Sequence, residues 1–265
     1  GAGSARDRRM KQMEIQADLH THSNLSDGKG TLEQNAEAAY RAGLSFLACT
    51  EHGPRHMKAG IAKRKLSEMR RRVDKLNQKY RGKLTVLMGI EANLISLDGT
   101  LDIPAQALEY FDIILMGFHL SARTTTLSEA WMFQVKNPRK EEKYSVAYRK
   151  KATEAYLRAI ENNEFDILVH PGLHWPLEYE PVAKACRDKG IAMEISARPK
   201  HLIFNKTQAE QMAKTGVKFA IDSDAHKPEE IGQVQSAIEF AMRAGIPAEQ
   251  IINAKGHPLP AFRRR

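Results

Sequence analysis

The stretch Ala17-Asp18-Leu19-His20-Thr21-His22 decides the fold. A short apolar run ends in two histidines spaced i, i+2, which on a β-strand turns both imidazoles to one side. The same arrangement recurs along the chain. The next run ends Thr50-Glu51-His52-Gly53, and others end Gly89-Ile90-Glu91-Ala92-Asn93, Met116-Gly117-Phe118-His119, Val169-His170-Pro171-Gly172 and Asp222-Ser223-Asp224-Ala225-His226. Amphipathic segments of helix length separate these runs. That alternation is the pattern of a parallel sheet or barrel, and barrels carry their chemistry where strands end and loops begin.

Working outward, strands are expected near 14–20, 45–50, 84–91, 112–118, 165–170, 191–196 and 217–222. Helices are expected near 31–43, 61–81, 143–162, 178–189, 206–215 and 228–244. In the second helix Ala62, Leu66, Met69, Val73, Leu76 and Tyr80 recur at spacings of three and four, giving one apolar stripe. Residues 120–142 show no such period, and an irregular stretch of this length inside a compact domain reads as a candidate lid. Residues 14–257 form one α/β domain on this reading. Residues 1–13 read as an expression remnant followed by a basic arm, and 258–265 as a basic tail.

The 265 residues, 42% hydrophobic and 28% charged, suffice for one large core and exclude disorder as the main state. No apolar run approaches the ~20 residues of a membrane span and no hydrophobic signal segment is present, so no membrane partner and a cytoplasmic location are expected. Cys49 and Cys186 are too few for a disulfide framework and read as core filler. The net charge of +9 is concentrated. Residues 58–83 hold eleven basic side chains against Glu68 and Asp74, so the rest of the chain between the basic termini is acidic.

Singly, each polar run end reads as a satisfied buried histidine or carboxylate. Jointly they do not, because polar groups are costly to bury without partners and six strand ends offer a metal ligand. Imidazole and carboxylate together suit Zn, Fe or Mn.

The motifs resemble the PHP (polymerase and histidinol phosphatase) superfamily. The matching pieces are Asp18 to His22 followed by Ser26-Asp27-Gly28, Thr50-Glu51-His52-Gly53-Pro54, Gly89 to Asn93, Gly117-Phe118-His119, His170-Pro171-Gly172, Glu194-Ile195-Ser196 and Asp222 to His226. They span nearly the whole chain. The trinuclear PHP phosphatases and the PHP domain of bacterial X-family DNA polymerases are most similar, also through Gly245-Ile246-Pro247 to Ile251-Ile252-Asn253. The resemblance implies a single-domain, distorted (β/α)7 TIM-like barrel with three divalent metals (Zn, Mn or Fe). It assigns His20, His22, Glu91 and Asp224 to the first metal, Glu91 with His119 and His170 to the second, and His52 and His226 to the third. Asp27 stands where the trinuclear phosphatases have a further histidine, as in the polymerase-linked domains, and Glu51 stands where the family usually has Asp.

Three carboxylates and six neutral imidazoles around three divalent ions leave an excess of about +3, which a hydroxide and a phosphate dianion would balance. Metal binding makes hydroxide available as the nucleophile, so no serine or cysteine is required. The expected activity is therefore metal-dependent phosphoester hydrolysis, most simply of a small phosphorylated metabolite or nucleotide, with Asp224 and Glu91 carrying charge at the reacting centre. Arg198, Arg55, Arg123, Lys200 and Lys227 lie near the ligand loops and are candidates to grip phosphate, Arg198 foremost. His174 is the candidate leaving-group acid. His201 and His257 fall outside the motifs and are read as structural or exposed. Three other readings stay open: a nuclease using the basic segments 61–81 and 136–151 on nucleic acid, a metal-dependent amidohydrolase, and a non-catalytic interaction module that retains the fold.

Overall fold

In the computed structural model, residues 13–103, 105–135 and 146–262 are described. Seven strands, β1 (Ala17–Thr21), β2 (Phe46–His52), β3 (Thr85–Asn93), β4 (Ile113–Gly117), β5 (Ile167–Leu168), β6 (Ala192–Ser196) and β7 (Phe219–Asp222), lie in chain order. Every neighbouring pair is parallel. The main helices are α1 (Leu32–Arg41), α2 (Leu66–Lys79), α3 (Val146–Asn162), α4 (Tyr179–Lys189), α5 (Lys206–Lys214) and α6 (Gln235–Arg243). The result is the expected distorted, nearly closed α/β barrel.

Side chains complete the seam between β1 and β7. One parallel bridge, Thr21 to Ala225, joins the two ends. Below it, Asp222 Oδ1 accepts the Leu19 N–H (2.7 Å), and Asp18 accepts the Ser223 N–H (3.1 Å), the Ser223 hydroxyl (2.6 Å) and the Gly232 N–H (2.8 Å). Asn253 bonds to Ala17 O, Ile221 O and Ile221 N. Buried peptide groups need partners, and here carboxylates and a carboxamide stand in for missing ladder bonds. Burial raises the Asp18 carboxyl. It raises Asp222 well above its usual range, with Glu194 and Asp18 adding repulsion.

Two apolar layers result. A large one fills the space between sheet and helices and includes the α2 stripe Leu66, Met69, Val73, Leu76 and Tyr80. A smaller one, including Leu19, Ala48, Leu87, Leu115, Val169, Ala192 and Ala220, fills the barrel interior, and Leu259 and Phe262 of the tail pack against it. Cys49 and Cys186 are buried and free. Among the described residues no helix is long and apolar enough to cross a membrane.

Several element bounds differ from expectation for identifiable reasons. β5 has two residues rather than six, and it ends before His170, which adopts φ +29° and leaves the extended region. The region 228–244 divides into a 3-10 turn (Pro228–Glu230) and α6, interrupted at Gly232 with φ +74°. The described part of the candidate lid is ordered locally: a turn at Leu127–Ala130 has a capping box between Thr126 and Glu129, and a π turn follows. Residues 136–142 of that stretch, 136–145 of the second basic segment, the first three residues of the third expected helix, 1–12 of the arm and 263–265 of the tail lie outside the described residues.

Candidate metal centre

The strand ends converge. Along β2, β3, β6 and β7 the polar residues His52, Glu91, Glu194 and Asp222, and along β4 Gly117, continue in phase the interior positions Ala48, Leu87, Ala192, Ala220 and Leu115. β1 reaches the same layer differently. Its register shifts between Asp18 and Thr21, so Leu19 joins the interior apolar layer and His20 follows directly into the polar one. At the end of β5 the positive φ of His170 does the same after Val169.

Eight of the ten histidines form one connected cluster: His20, His22, His52, His56, His119, His170, His201 and His226. Glu91 lies at its centre, fully buried. Its Oε2 is 3.4 Å from His20 Nε2, 3.5 Å from His22 Nε2 and 2.8 Å from His52 Nδ1. Its Oε1 is 2.8 Å from His170 Nε2 and 3.1 Å from His119 Nε2. One carboxylate thus serves two separate groups of imidazoles. Asp224 Oδ1 approaches His22 Nε2 (3.3 Å) and His20 Nε2 (3.6 Å), completing the first group. Asp27 Oδ1 lies 3.4 Å from both His52 Nε2 and His226 Nε2, a third group nearer the surface. Gly117 has no room for a side chain, since a Cβ there would sit 2.8 Å from His170 Cε1 and 3.1 Å from Glu91 Oε1.

Surrounding groups fix which nitrogen each ring offers inward. Glu194 Oε1 is 2.6 Å from His20 Nδ1 and its Oε2 accepts the His170 N–H (2.7 Å). Asn93 Oδ1 is 2.8 Å from His119 Nδ1, and Asp102 holds Asn93 through its side chain (2.6 Å) and backbone (2.7 Å). A carboxylate or carboxamide oxygen accepts, so His20 and His119 each carry a proton on Nδ1 and turn Nε2 toward the centre. Glu51 is buried but does not face the centre. It accepts from the Ser23 hydroxyl (2.5 Å) and the Ser26 hydroxyl, tying down the loop that carries Asp27.

These groups do not all satisfy one another. His20 Nε2 and His22 Nε2 converge to 3.1 Å with Glu91 Oε2 and Asp224 Oδ1 beside them. Glu91 Oε2 and His52 Nδ1 have no hydrogen bond despite their 2.8 Å separation, and His22 Nδ1 and His170 Nδ1 are also buried without one. Native structures pair nearly all buried polar atoms, and a site of convergent lone pairs is satisfied by a cation. Divalent metal ions fit this donor set, and several groups of three or four ligating atoms lie within 4.8 Å of one another, as a polynuclear site requires.

The titration behaviour follows the same geometry. Burial, then the neighbouring His52, takes His22 down to about 3; burial takes His119 to about 4 against the pull of Glu91. Burial opposes charge on His20 and His52, yet Asp224, Glu194 and Glu91 hold His20 well above its usual range, and Glu91 with Asp27 lifts His52 to about 10. Burial would raise Glu91 and Asp224, but the imidazoles around them hold both far below the usual carboxylate range.

All nine side chains expected as metal ligands are brought together. The expected phosphate-gripping residues divide. Arg198 reaches the centre, its Nη1 donating to Asp224 O (2.9 Å) and lying 2.9 Å from His226 Nδ1. Arg55 and Arg123 sit on loops joined by the Arg123 N–H to Arg55 O bond (2.9 Å). Lys200 is exposed, and Lys227 lies 3.9 Å from Glu230. His174 is exposed and belongs to none of the ligating groups. Two histidines given no ligand role from sequence are in the cluster. His56 stacks on His52 at 4.7 Å and lies 2.6 Å from Ser121 Oγ, and burial with His52 takes it to about 4. His201 Nδ1 is 2.6 Å from Asp224 Oδ2, which brings into the cluster a histidine read from the sequence as structural or exposed. No strand-end spacing marks His201, because a loop brings it back.

A family model described as the PHP domain matches residues 18–198. The chain is 27% identical over 262 residues to a probable phosphatase of Thermoanaerobacter sp. (strain X514), covering 91% of each. It is 24% identical over 262 residues to the DNA polymerase/3'-5' exonuclease PolX of Bacillus subtilis, covering 95% of this chain but only 41% of that protein. The fold matches a histidinol phosphate phosphatase from Lactococcus lactis, solved with zinc, L-histidinol and phosphate, with TM-score 0.65 at 18% identity over 94% of this chain and 97% of the other. With its barrel, its convergent strand ends and a family match over residues 18–198, the chain belongs to the PHP domain family.

Proposed function

We propose that the protein is a metal-dependent phosphoesterase acting on small phosphorylated substrates. The observation that carries this reading is Glu91, whose two oxygens address two groups of inward-facing imidazoles, as a carboxylate bridging two cations would. Three ions are proposed: one among His20, His22, Glu91 and Asp224, one among Glu91, His119 and His170, and one among Asp27, His52 and His226. Divalent ions held there would supply Lewis acidity toward phosphoryl oxygens and would lower the pKa of water.

The chain's own residues do the rest. Glu194 and Asn93 accept from the outer nitrogens of His20 and His119, so the inner nitrogens are the ones turned toward the centre, where a bound cation would displace any proton on them. Arg198, partly exposed beside Asp224 and His226, is the proposed phosphate contact, a role for which its planar fork of donors is suited. Arg55, Arg123, Lys200 and Lys227 are the secondary candidates. Loss of the leaving oxygen needs a proton, and the exposed His174 is the proposed source. Two buried, free cysteines accord with a reducing compartment, and we place the protein in the cytoplasm.

The test is elemental analysis of purified protein coupled to a phosphate-release screen of sugar phosphates, nucleotides and short oligonucleotides. Two or more ions per chain and release from a monoester support the reading; metal uptake without release from any ester overturns it. Nuclease action is the second reading, favoured by exposed Lys58, Lys63 and Arg64 between β2 and α2, for which no ion pair occurs among the described residues. Salt-sensitive binding of a single-stranded oligonucleotide would support it.

A further inference from the structure

The connection after β6 carries a side chain for which the three proposed ion sites have no use. Residues Arg198 to His201 form a turn closed by the His201 N–H to Arg198 O bond (3.1 Å), with Lys200 at φ +70°. A lysine in the left-handed region is uncommon, and its effect here is to aim the next residue back at the barrel. The turn delivers two side chains to one target. Arg198 Nη1 donates to the Asp224 carbonyl (2.9 Å), and His201 Nδ1 lies 2.6 Å from Asp224 Oδ2. Asp224 itself has φ +51°, a conformation that costs on the order of 1–3 kcal/mol and persists only where its surroundings over-determine it.

The Asp224 carboxylate is divided. Oδ1 faces His22 Nε2 (3.3 Å) and His20 Nε2 (3.6 Å), while Oδ2 faces His201. An ionised carboxylate only accepts, so the His201 proton sits on Nδ1 and the bond fixes the rotation of the carboxylate about its last torsion. The His201 ring is buttressed by the edge of His170 at 5.2 Å, with the planes 75° apart. We propose that His201 is a positioning residue of the metal centre: by holding Oδ2, it keeps Asp224 Oδ1 aimed at His20 and His22. The inference rests on reading that group as a metal site.

The test compares wild type, His201→Ala and His201→Asn by zinc titration against a competing chelator, with elemental analysis at saturation and thermal melting of the metal-free proteins. Asparagine places its carboxamide nitrogen where Nδ1 stands and keeps the donor. Outer hydrogen-bond partners of metal ligands typically contribute 10–100-fold in affinity. The expected result is a roughly 10–100-fold weaker zinc affinity in His201→Ala with the same number of ions at saturation, and recovery to near wild type in His201→Asn. Three results overturn the proposal. They are unchanged affinity in His201→Ala, loss of one ion at saturation that His201→Asn does not restore, or a weakening that merely follows a fall in metal-free melting temperature in both variants. Wild-type protein that takes up zinc but releases no phosphate would overturn the phosphoesterase reading alone; one that takes up no zinc overturns both.

Discussion

Glu194→Gln is the sharpest probe of how the centre is organised. Glu194 is fully buried, and its two oxygens serve two different partners, His20 Nδ1 at 2.6 Å and the His170 backbone N–H at 2.7 Å. Both partners donate. A carboxamide of the same size has one accepting oxygen and one donating nitrogen, so either orientation sets a donor against a donor. If the nitrogen faces His20, the imidazole proton moves to Nε2, the atom that faces Glu91 and Asp224. If it faces His170, the backbone that aims His170 at Glu91 loses its support. A hydrogen bond to a charged group contributes about 1.5–3 kcal/mol, which is about 10- to 150-fold in an equilibrium constant. Chelator-competition titration with zinc should therefore show affinity falling by at least tenfold, while circular dichroism reports an intact barrel. A folded variant whose zinc affinity stays within about twofold of wild type would refute the reasoning, since a partner worth that little cannot be setting the His20 tautomer.

Glu91→Ala and Asp224→Ala should each leave a folded barrel and abolish phosphate release, with fewer ions retained; full activity with unchanged metal content would refute the site assignment. Arg198→Ala should raise KM while kcat holds if the residue binds phosphate uniformly, whereas an equal fall in kcat and kcat/KM would place its contact in the transition state. The metal-free protein should be most stable near the ordinary histidine value of 6.5. Below it the unfolded chain takes up protons that His119 and His22, held near 4 and 3, refuse in the fold, so stability falls as pH falls. Above it the stabilisation from protonated His52 and His20 is lost as pH rises toward about 10. Urea unfolding at acidic, near-neutral and alkaline pH checks both limbs, and a flat profile would contradict the buried imidazole assignments.

Two features show the limits of reading spacing alone. The i, i+2 rule places His20 and His22 on one side, but it would also put Leu19 opposite them; a register shift in β1 lets Leu19 enter the interior apolar layer just beneath. Asp18 and Asn253 carry no periodic signal, yet they hold the seam where β1 meets β7. The basic stretch 58–83 likewise loses part of its charge to internal pairing: Arg70 is buried against Asp112 (2.7 Å), and Arg72 bonds Glu33 (2.5 Å).

The barrel and the polar strand ends were legible along the chain, because apolar runs of strand length, amphipathic stripes and polar residues at run ends are local signals, while the full set of nine expected ligands, Asp27 among them, came from the resemblance to the PHP family. Which groups orient those nine emerged from contacts made on folding. Glu194, Asn93, Asp102 and His201 act across loops and neighbouring strands, through distances of 2.6 to 2.8 Å that no spacing along the chain encodes. Strand periodicity fixes which side a residue faces, whereas the tautomer of a ring and the rotation of a carboxylate depend on partners brought near only by folding.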